Sequence, residues 1–317
     1  MKNVIKVVAG VFVLLLAYLL LWPVPVDPVS WDAPANEGYV GDFAPNDRLA
    51  GLERIDIGDI HGPEDVAARE IDGTLMLFVS SQVGQIRMIN AETLEHTLFA
   101  DTGGVPLGLE FDAGNNLIVA DAYLGLLSIS PDGVVTTLTN EVAGTPILYA
   151  DDLDIGPDGV IYFSDASTKF GAKASGSTMG GSLLELMEHG RTGRVLAYDP
   201  ADKSTKVIRT DLSFSNGVAM VSDGQSILVN ETGEYRVVRM WIDGPRKGEM
   251  DVVIDNLPGF PDNINRGPDG TFLLGLVSQR SKASTARTAA RPSPVRRKAP
   301  TGCDGNGQIP TWRRRDP

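Results

Sequence analysis

The stretch "ADDLDIGPDGVIYFSDAS", residues 150–167, is one copy of a pattern that recurs along the chain. A short strand-like run leads into a turn containing Gly and Asp, and a strongly apolar run follows the turn. Equivalent positions of the copies are spaced 43, 44, 65 and 46 residues apart, and they are Glu64, Leu107, Asp151, Asn216 and Asp262. A period of about 40–45 residues with about four strands per unit is typical of a β-propeller. The sequence therefore predicts an all-β propeller over residues 51–278.

Segments between the copies favour the same architecture. Four β-rich runs each precede the next copy and are predicted to be outer strands, namely "HTLFADT", "VVTTLTN", "TKVIRTD" and "DVVIDNL". The spacing of 65 residues includes an insertion in which "SLLELMEHG" (182–190) predicts a short helix ending at Gly190. The tetrapeptides "GPDG", "SPDG" and "VSDG" are typical of hairpin turns, so we interpret their aspartates as structural.

The first 28 residues form a separate segment. Lys2 and Lys6 precede an uncharged apolar run of 16 residues, Val7–Trp22, and no convincing small-x-small cleavage site is present. We interpret residues 1–28 as an uncleaved membrane anchor, with a cleaved signal peptide and a buried soluble helix as the alternatives. Because the lysines precede the apolar run and acidic sequence follows it, the propeller is predicted on the exported side of the membrane. Residues 29–50 are predicted to be a polar, Pro-containing stalk.

Charge is distributed unevenly along the chain. The formal net charge is −13, with −21 in residues 1–278 and +8 in residues 279–317. An acidic body argues against nucleic acid as a partner. The one cysteine, Cys303, cannot form an internal disulfide, and the sequence lacks the Cys/His spacing of a zinc site. No oligomeric state follows from the sequence.

The last 39 residues, 279–317, differ from the rest in composition. Large apolar side chains are confined to Val295, Ile309 and Trp312, so this basic segment cannot supply strands that bury a face. We expect it to be disordered or the product of a shifted reading frame. The propeller is then incomplete at its C-terminal end, with no outer strands in the fifth unit and no body for a sixth. "GLERIDIGDI" (51–60) is placed to pair with the missing blade.

Polar side chains at the starts of the units predict a binding site. Inner strands of a propeller begin around the central channel, so these starts face one another across its mouth. The starts hold three carboxylates and two amides, namely Glu64, Asp151, Asn216, Asp262 and Asn263. Two bare carboxylates about 4 Å apart repel by roughly 4 kcal/mol at an effective dielectric near 20, so such a ring needs a cation or protons. Oxygen donors of this kind suit Ca²⁺ or another divalent cation; the alternative is that they cap strand ends and bind loop amides.

Ordered motifs between about residues 60 and 278 resemble one known family. They include "GPEDVA", "YADDLDIGPDGVIYFSDAS", "SFSNGVAMVSDG" and "LPGFPDNINRGPDGTF". The chain is similar to the strictosidine synthase-like family, which includes the adipocyte plasma membrane-associated proteins and is related to gluconolactonase, regucalcin and paraoxonase. This resemblance implies a six-bladed propeller with a calcium site at the five residues named above. Relatives usually read Asn-Asp where this chain has Asp151-Asp152, so an amide ligand is replaced by a carboxylate.

Residues and resemblance together favour a calcium-dependent hydrolase of lactones or esters that acts on a small-molecule substrate. The cation would polarise the carbonyl oxygen, and Asp262 would take a proton from water. One alternative is strictosidine synthase-type condensation of an amine with an aldehyde, although the family's catalytic glutamate falls in sequence that this chain does not match. The other is a non-catalytic, membrane-tethered binding propeller.

A serine hydrolase is not indicated. The sequence has no G-x-S-x-G motif, and its three histidines have no visible triad context. We interpret His61 as a loop residue that could reach the channel mouth. His96 and His189 are predicted to be surface residues on an outer strand and on the inserted helix.

Overall fold

The computed structural model describes residues 2–58, 60–267 and 270–280. Within these ranges the chain forms five antiparallel sheets, four of them with four strands and one with two, together with a small two-stranded hairpin. Chain order is kept within every four-stranded sheet. This is the blade topology of a propeller, so the predicted fold class is confirmed.

The strands follow the repeat. Blade 1 contains β1 (Pro63–Ile71), β2 (Thr74–Ser81), β3 (Gln85–Asn90) and β4 (His96–Asp101). Blade 2 contains β5 (Pro106–Phe111), β6 (Leu117–Asp121), β7 (Gly125–Ile129) and β8 (Val135–Thr139), and the hairpin β9 (Glu141–Val142) and β10 (Thr145–Pro146) follows it. Blade 3 contains β11 (Ala150–Ile155), β12 (Ile161–Asp165), β13 (Gly193–Asp199) and β14 (Ser204–Leu212). Blade 4 contains β15 (Ser215–Met220), β16 (Ser226–Glu231), β17 (Arg236–Trp241) and β18 (Met250–Ile254), and the fifth sheet contains β19 (Gly259–Arg266) and β20 (Phe272–Gln279).

The core lies between neighbouring blades. Second strands such as β6, β12 and β16 are buried at every position, which explains their continuous apolar runs. Outer strands such as β18 are largely exposed. Apolar clusters join each blade to the next; Phe78 of blade 1, for example, belongs to one cluster with Leu117 of blade 2.

The innermost strands surround a central channel. The first strand of each sheet packs against the first strand of the following sheet. From the fifth sheet, Asn263 Nδ2 donates to Glu64 O at 3.2 Å, and Asn265 Nδ2 donates to Asp65 Oδ1 at 3.3 Å. These two side-chain bonds link β19 to β1 across the channel. We call the end where the inner strands begin the upper mouth.

Every inner strand carries the same irregularity at the upper mouth. In each blade two residues of the first strand oppose one residue of the second strand, which is a β-bulge. The first bulge residues are Glu64, Leu107, Asp151, Asn216 and Asp262. The second bulge residues are Asp65, Gly108, Asp152, Gly217 and Asn263. The repeat positions found in the sequence are therefore structurally equivalent.

Two second bulge residues connect adjacent blades. Asp65 Oδ2 accepts from the backbone N–H of Leu109, and Asp152 Oδ2 accepts from that of Val218, both at 2.8 Å. A Cβ on Gly108 would lie 2.5 Å from Asp152 Oδ1, so the glycine leaves room for the carboxylate of the next blade. Asp in blades 1 and 3 thus alternates with Gly in blades 2 and 4.

The inserted helix differs from its prediction at both ends. α2 runs from Thr178 to Glu188, with Ser177 as its N-cap accepting from the N–H of Gly180. It therefore begins four residues before the predicted start at Ser182. The prediction that it ends at Gly190 is wrong, because His189 takes the left-handed conformation, with φ of 55°, and caps the helix.

The turn aspartates have the predicted structural role where the structure shows their bonds. Asp158 Oδ1 accepts from Val160 N at 3.1 Å, and Asp223 Oδ1 accepts from Gln225 N at 2.8 Å. Side-chain acceptors of this kind hold a tight turn closed. The aspartate of the last "GPDG", Asp269, lies outside the described residues.

The N-terminal segment begins with α1, Lys2–Leu21, which is strongly apolar after Lys6 and has no buried residue. Its length and composition would allow it to cross a membrane. The predicted stalk contacts the propeller instead of standing clear of it. Trp31 stacks on His189 at 4.1 Å between ring centroids, and Asn36 Nδ2 donates to Arg280 O at 3.3 Å.

Two further predictions concern the ends of the propeller. "GLERIDIGDI" contains no strand in its described residues, 51–58 and 60. The predicted boundary at residue 278 falls within β20, which continues to Gln279, and Arg280 is buried. Residues 281–317, most of the predicted basic tail, lie outside the described residues. The division into anchor, stalk, propeller and tail stays a prediction.

Candidate functional site

A cavity of about 330 Å³ opens at the upper mouth and is lined by all five first bulge residues. Four predicted site residues, Glu64, Asp151, Asn216 and Asp262, line it together. The fifth, Asn263, is a second bulge residue and donates to Glu64 O. The structure thus brings the predicted set to one end of the channel, although the residues come from four different blades.

Burial makes negative charge costly in this cavity. The pKa of Glu64 is raised well above its usual range by burial and then by Asp151, Asp65 and Asp262. Burial and the charge of Asp262 likewise raise the pKa of Asp151. Burial also raises the pKa of Asp262, and a hydrogen bond from Asn216 opposes this rise. Three carboxylates that disfavour one another's ionisation would be stabilised by a cation or by protons.

Several acceptor atoms of the same group have no hydrogen-bond donor. Glu64 Oε2, Asn216 Oδ1, Asn230 Oδ1 and Asn263 Oδ1 are buried and unpartnered. Unpaired buried oxygens are rare in proteins because each costs free energy. Carboxylate and amide oxygens are the donors that calcium takes, so the residues present fit a calcium ion.

The fit rests on these unmatched acceptors and not on a preformed cluster. Within the described ranges, no group of three or more His, Cys, Asp or Glu side chains is arranged to hold a metal ion. Two members of the candidate set are amides, and its carboxylates come from three blades. Asn216 Nδ2 donates to Asp262 Oδ1 at 2.7 Å, which couples the site residues of blades 4 and 5.

Sequence reasoning missed Asn230 and Tyr149. Asn230 opposes the bulge of blade 4 and donates to the backbone oxygen of Asp262. A polar residue at the end of the apolar run "SILVN" is the signal that could have found it. Tyr149 lines the cavity beside Phe214, and burial followed by the charge of Asp151 raises its pKa. Its hydroxyl therefore stays a hydrogen-bond donor.

The prediction that His189 is a surface residue is wrong. His189 is buried because Trp31 covers its ring. Its Nδ1 lies 3.3 Å from Ser213 Oγ and its Nε2 lies 3.4 Å from Glu234 Oε1. This order of groups resembles a catalytic triad, but Ser213 is 0% exposed and cannot meet a substrate.

The other two histidines lie away from the cavity lining. His61 is exposed in the loop before β1, as predicted, and its backbone oxygen accepts from Gln82 N at 3.1 Å. His96 begins the outer strand β4, as predicted, and is half-buried. The described residues therefore hold no histidine placed to act as a general base on a substrate in this cavity.

The opposite end of the channel has its own cavity of about 260 Å³, lined by Asp65, Glu110, Asp154 and Arg266 among others. Arg266 Nη2 donates to Asp154 Oδ1 at 3.2 Å and so links β19 to β11. Burial and then the charge of Asp154 raise the pKa of Glu110 to about 7, and Arg266 opposes this rise. The Glu110 carboxyl therefore titrates near neutral pH.

Glu110→Gln is expected to reduce the pH dependence of stability. The folded chain holds the Glu110 proton more tightly than the unfolded chain does, so protonated Glu110 contributes to the stability of the fold. This contribution is complete below the unfolded pKa of 4.5 and is lost as the pH rises through about 7. We expect the unfolding free energy of the parent to fall by ~1–3 kcal/mol more than that of the variant between pH 5 and 8. Urea denaturation at both pH values measures this, with exposed Glu70→Gln as the control. Equal pH dependence in parent and Glu110→Gln would contradict it.

Comparisons with known proteins agree with this architecture. A profile described as strictosidine synthase matches residues 151–245, and one described as strictosidine synthase-like, N-terminal, matches residues 41–86. Adipocyte plasma membrane-associated protein of Danio rerio is 30% identical over 290 residues, covering 88% of this chain and 68% of the relative. Strictosidine synthase-like 13 of Arabidopsis thaliana is 37% identical over 210 residues, covering 66% of this chain and 50% of the relative. The chain spans 50–60% of the length of two such plant relatives.

Solved structures share the fold. A gluconolactonase from Xanthomonas campestris superimposes with a TM-score of 0.56 at 19% identity, covering 68% of this chain and 70% of that chain. The calcium-binding protein regucalcin from Agrobacterium tumefaciens superimposes with a TM-score of 0.53 at 16% identity, covering 70% of both chains. At these identities the likeness establishes the propeller fold alone.

Proposed function

Because the chain belongs to the strictosidine synthase-like family, which includes the adipocyte plasma membrane-associated proteins, we propose that it is a membrane-anchored, calcium-dependent hydrolase of lactones or esters. The observation that carries this proposal is the upper cavity. There, three carboxylates with raised pKa values and several unpartnered oxygens lie beside aromatic side chains. This combination suits a small apolar molecule with one polar reacting group.

The proposed ligands are Glu64, Asp151, Asn216, Asp262 and Asn263. When bound there, calcium would supply the positive charge that polarises the substrate carbonyl oxygen. Asn230 and Asn216 contribute by holding Asp262, through its backbone oxygen and its carboxylate respectively. With three carboxylates, the set carries one negative charge more than a divalent ion neutralises.

Asp262 is the proposed general base. Its carboxylate is half-buried at the cavity and its pKa is raised, so it takes a proton more readily than an ordinary aspartate. Water would form a bond to the carbonyl carbon and transfer its proton to Asp262. The acyl carbon–oxygen bond would then break, and the departing oxygen would receive that proton. The products are a carboxylic acid and an alcohol, joined in one molecule when the substrate is a lactone.

Membrane anchoring is part of the proposal. α1 is apolar after Lys6 and has no buried residue, and one family relative is named for its association with the plasma membrane. Lys2 and Lys6 lie at its N-terminal end, which favours export of the propeller.

A panel of δ-lactones and aryl esters tests the activity. We expect hydrolysis in calcium, loss of hydrolysis in a chelator, and recovery when calcium is restored. Asp262→Asn is expected to lower kcat about 10²–10⁴-fold because it removes the proton acceptor. Asp158→Asn, which changes a turn aspartate, is the matched control and should keep parental activity. Product from an amine and an aldehyde would instead indicate the condensing enzyme, and tight ligand binding without turnover would indicate a binding propeller.

A further inference from the structure

Helix α2 exposes a row of apolar side chains. Met179, Leu183 and Met187 are 62%, 51% and 43% exposed, and they are spaced four residues apart. Residues four apart lie on one face of a helix, so they form a continuous strip, which we call the α2 stripe. The opposite face is packed into the protein through Gly181, Glu185 and Glu188. An apolar row of this kind on an amphipathic helix calls for a partner.

The α2 stripe borders the upper cavity. Met179 and Leu183 line that cavity together with Asp151 and Asp262. Leu183 and Met187 also line an adjoining cavity of about 400 Å³, where Trp31 forms part of the wall. Whatever covers the stripe is therefore in contact with the entrance to the proposed active site.

The N-terminal segment is attached to the same helix. The backbone N–H of Asp27 donates to Glu188 Oε2 at 2.8 Å, and that of Val29 donates to Glu188 O at 2.7 Å. Lys169 holds the Glu188 carboxylate at 2.6 Å. The chain takes six residue steps from Leu21, where α1 ends, to Asp27, which is bonded to the C-terminal end of α2. Six residues span at most about 20 Å, and the prolines among them limit slack.

We propose that the α2 stripe lies in the membrane interface, so that the upper cavity opens towards the bilayer and takes lactones or esters dissolved in the membrane. This rests on the proposed anchoring and hydrolysis. The partner is a bilayer because the short connection keeps the C-terminal end of α2 beside the membrane whenever α1 is inserted in that membrane. Exposed apolar side chains on one face are the feature by which an interfacial helix binds a membrane, and Lys173 is exposed in the loop before α2.

Fluorescence quenching by brominated lipid tests the placement. The full chain carries Cys303→Ser and one new cysteine labelled with the environment-sensitive dye NBD, and it is reconstituted in nanodiscs. The label positions are Leu14 in α1, Met179 in the stripe and Val252 in the outer strand β18. We expect quenching at 14 and 179 and none at 252. Quenching at 14 without quenching at 179 overturns the stripe's placement but leaves anchoring intact, whereas absence at 14 refutes both.

Kinetics test the substrate class. The variant Met179→Gln/Leu183→Gln/Met187→Gln is compared with Leu98→Thr/Val207→Thr/Val252→Thr, whose residues on outer strands are 50%, 42% and 51% exposed. Because Met179 and Leu183 also line the cavity, we expect the stripe variant to raise KM for long-chain esters in the nanodisc about tenfold more than it raises KM for a water-soluble short-chain ester. The control variant should match the parent on both. Equal effects on both esters, or no effect on either, would overturn the inference. Absence of all ester hydrolysis would refute the proposed activity, and the quenching result would still decide where the stripe lies.

Discussion

Millimolar calcium is expected to raise the melting temperature of the full chain, and Glu64→Gln is expected to remove most of that rise. A ligand at 100 times its Kd stabilises the folded state by about 2.7 kcal/mol. For a domain of this size that corresponds to an increase of roughly 5–10 °C. Glu64→Gln removes one anionic donor whose second oxygen, Oε2, has no hydrogen-bond partner. Differential scanning calorimetry in calcium and in chelator measures the shift.

Stability measured without calcium distinguishes a calcium-binding role of Glu64 from a purely structural role. Because burial and neighbouring carboxylates raise the Glu64 pKa, the ion-free folded state disfavours the ionised form of this side chain, a form that glutamine cannot adopt. The variant should therefore be at least as stable as the parent in chelator, while losing the response to calcium. Asn216→Ala and Asp262→Asn should also lose most of the response. Parental responses in all three variants would indicate that these side chains only cap strand ends.

Asp151→Asn provides a graded control. It introduces the amide that the family resemblance implies at this position and lowers the negative charge of the proposed ligand set to two carboxylates. We expect weaker calcium affinity with the fold retained. An unfolded Asp151→Asn protein would contradict the placement of this side chain in the site.

Asp152→Ala is expected to lower the free energy of unfolding by about 3–5 kcal/mol. Asp152 is 2% exposed, and its two oxygens accept from Leu153 N and Val218 N at 2.8 Å. The substitution leaves both buried N–H groups without acceptors, and each unsatisfied group costs about 1–3 kcal/mol. The adjacent substitution Asp151→Asn keeps these bonds and serves as the matched control. Urea denaturation in chelator measures the difference without a contribution from calcium.

Asp152→Asn refines this prediction. The amide keeps one acceptor oxygen but turns an NH₂ group towards one of the two N–H donors, so its loss of stability should lie between those of the parent and Asp152→Ala. If Asp152→Ala is as stable as the parent, the bond between blades 3 and 4 contributes nothing and the role assigned to the second bulge residues is wrong.

The repeat predicted most of the fold because propeller strands depend on local patterns. Turn chemistry and continuous apolar runs mark each second strand, and the repeat spacing places Asp151 and Asp262 at equivalent bulges. What the sequence does not reveal are contacts between distant segments. Burial of His189 requires Trp31, which is 158 residues earlier in the chain, and nothing in the helix pattern indicates that cover.

The helix start and Tyr149 were missed for related reasons. Two glycines, Gly180 and Gly181, weaken the helical pattern, while the cap at Ser177 and the close packing of Gly181 against Tyr149 allow the helix to begin earlier. Tyr149 precedes the bulge of blade 3, and an aromatic residue at this position is equally consistent with a place in the apolar core. The carboxylate and amide residues were found because polar side chains at strand starts need partners.

The carboxylate oxygens of Asp65 and Asp152 that accept from the next blade also affect the order in which the blades can be joined during translation. Asp65 receives its donor from Leu109, 44 residues later, and Asp152 receives its donor from Val218, 66 residues later. The Oδ2 atom of each carboxylate lacks this donor until the following blade has emerged, and blades 2 and 4 carry glycine at the same position. During translation these bonds would therefore join the blades in pairs, blade 1 with blade 2 and blade 3 with blade 4.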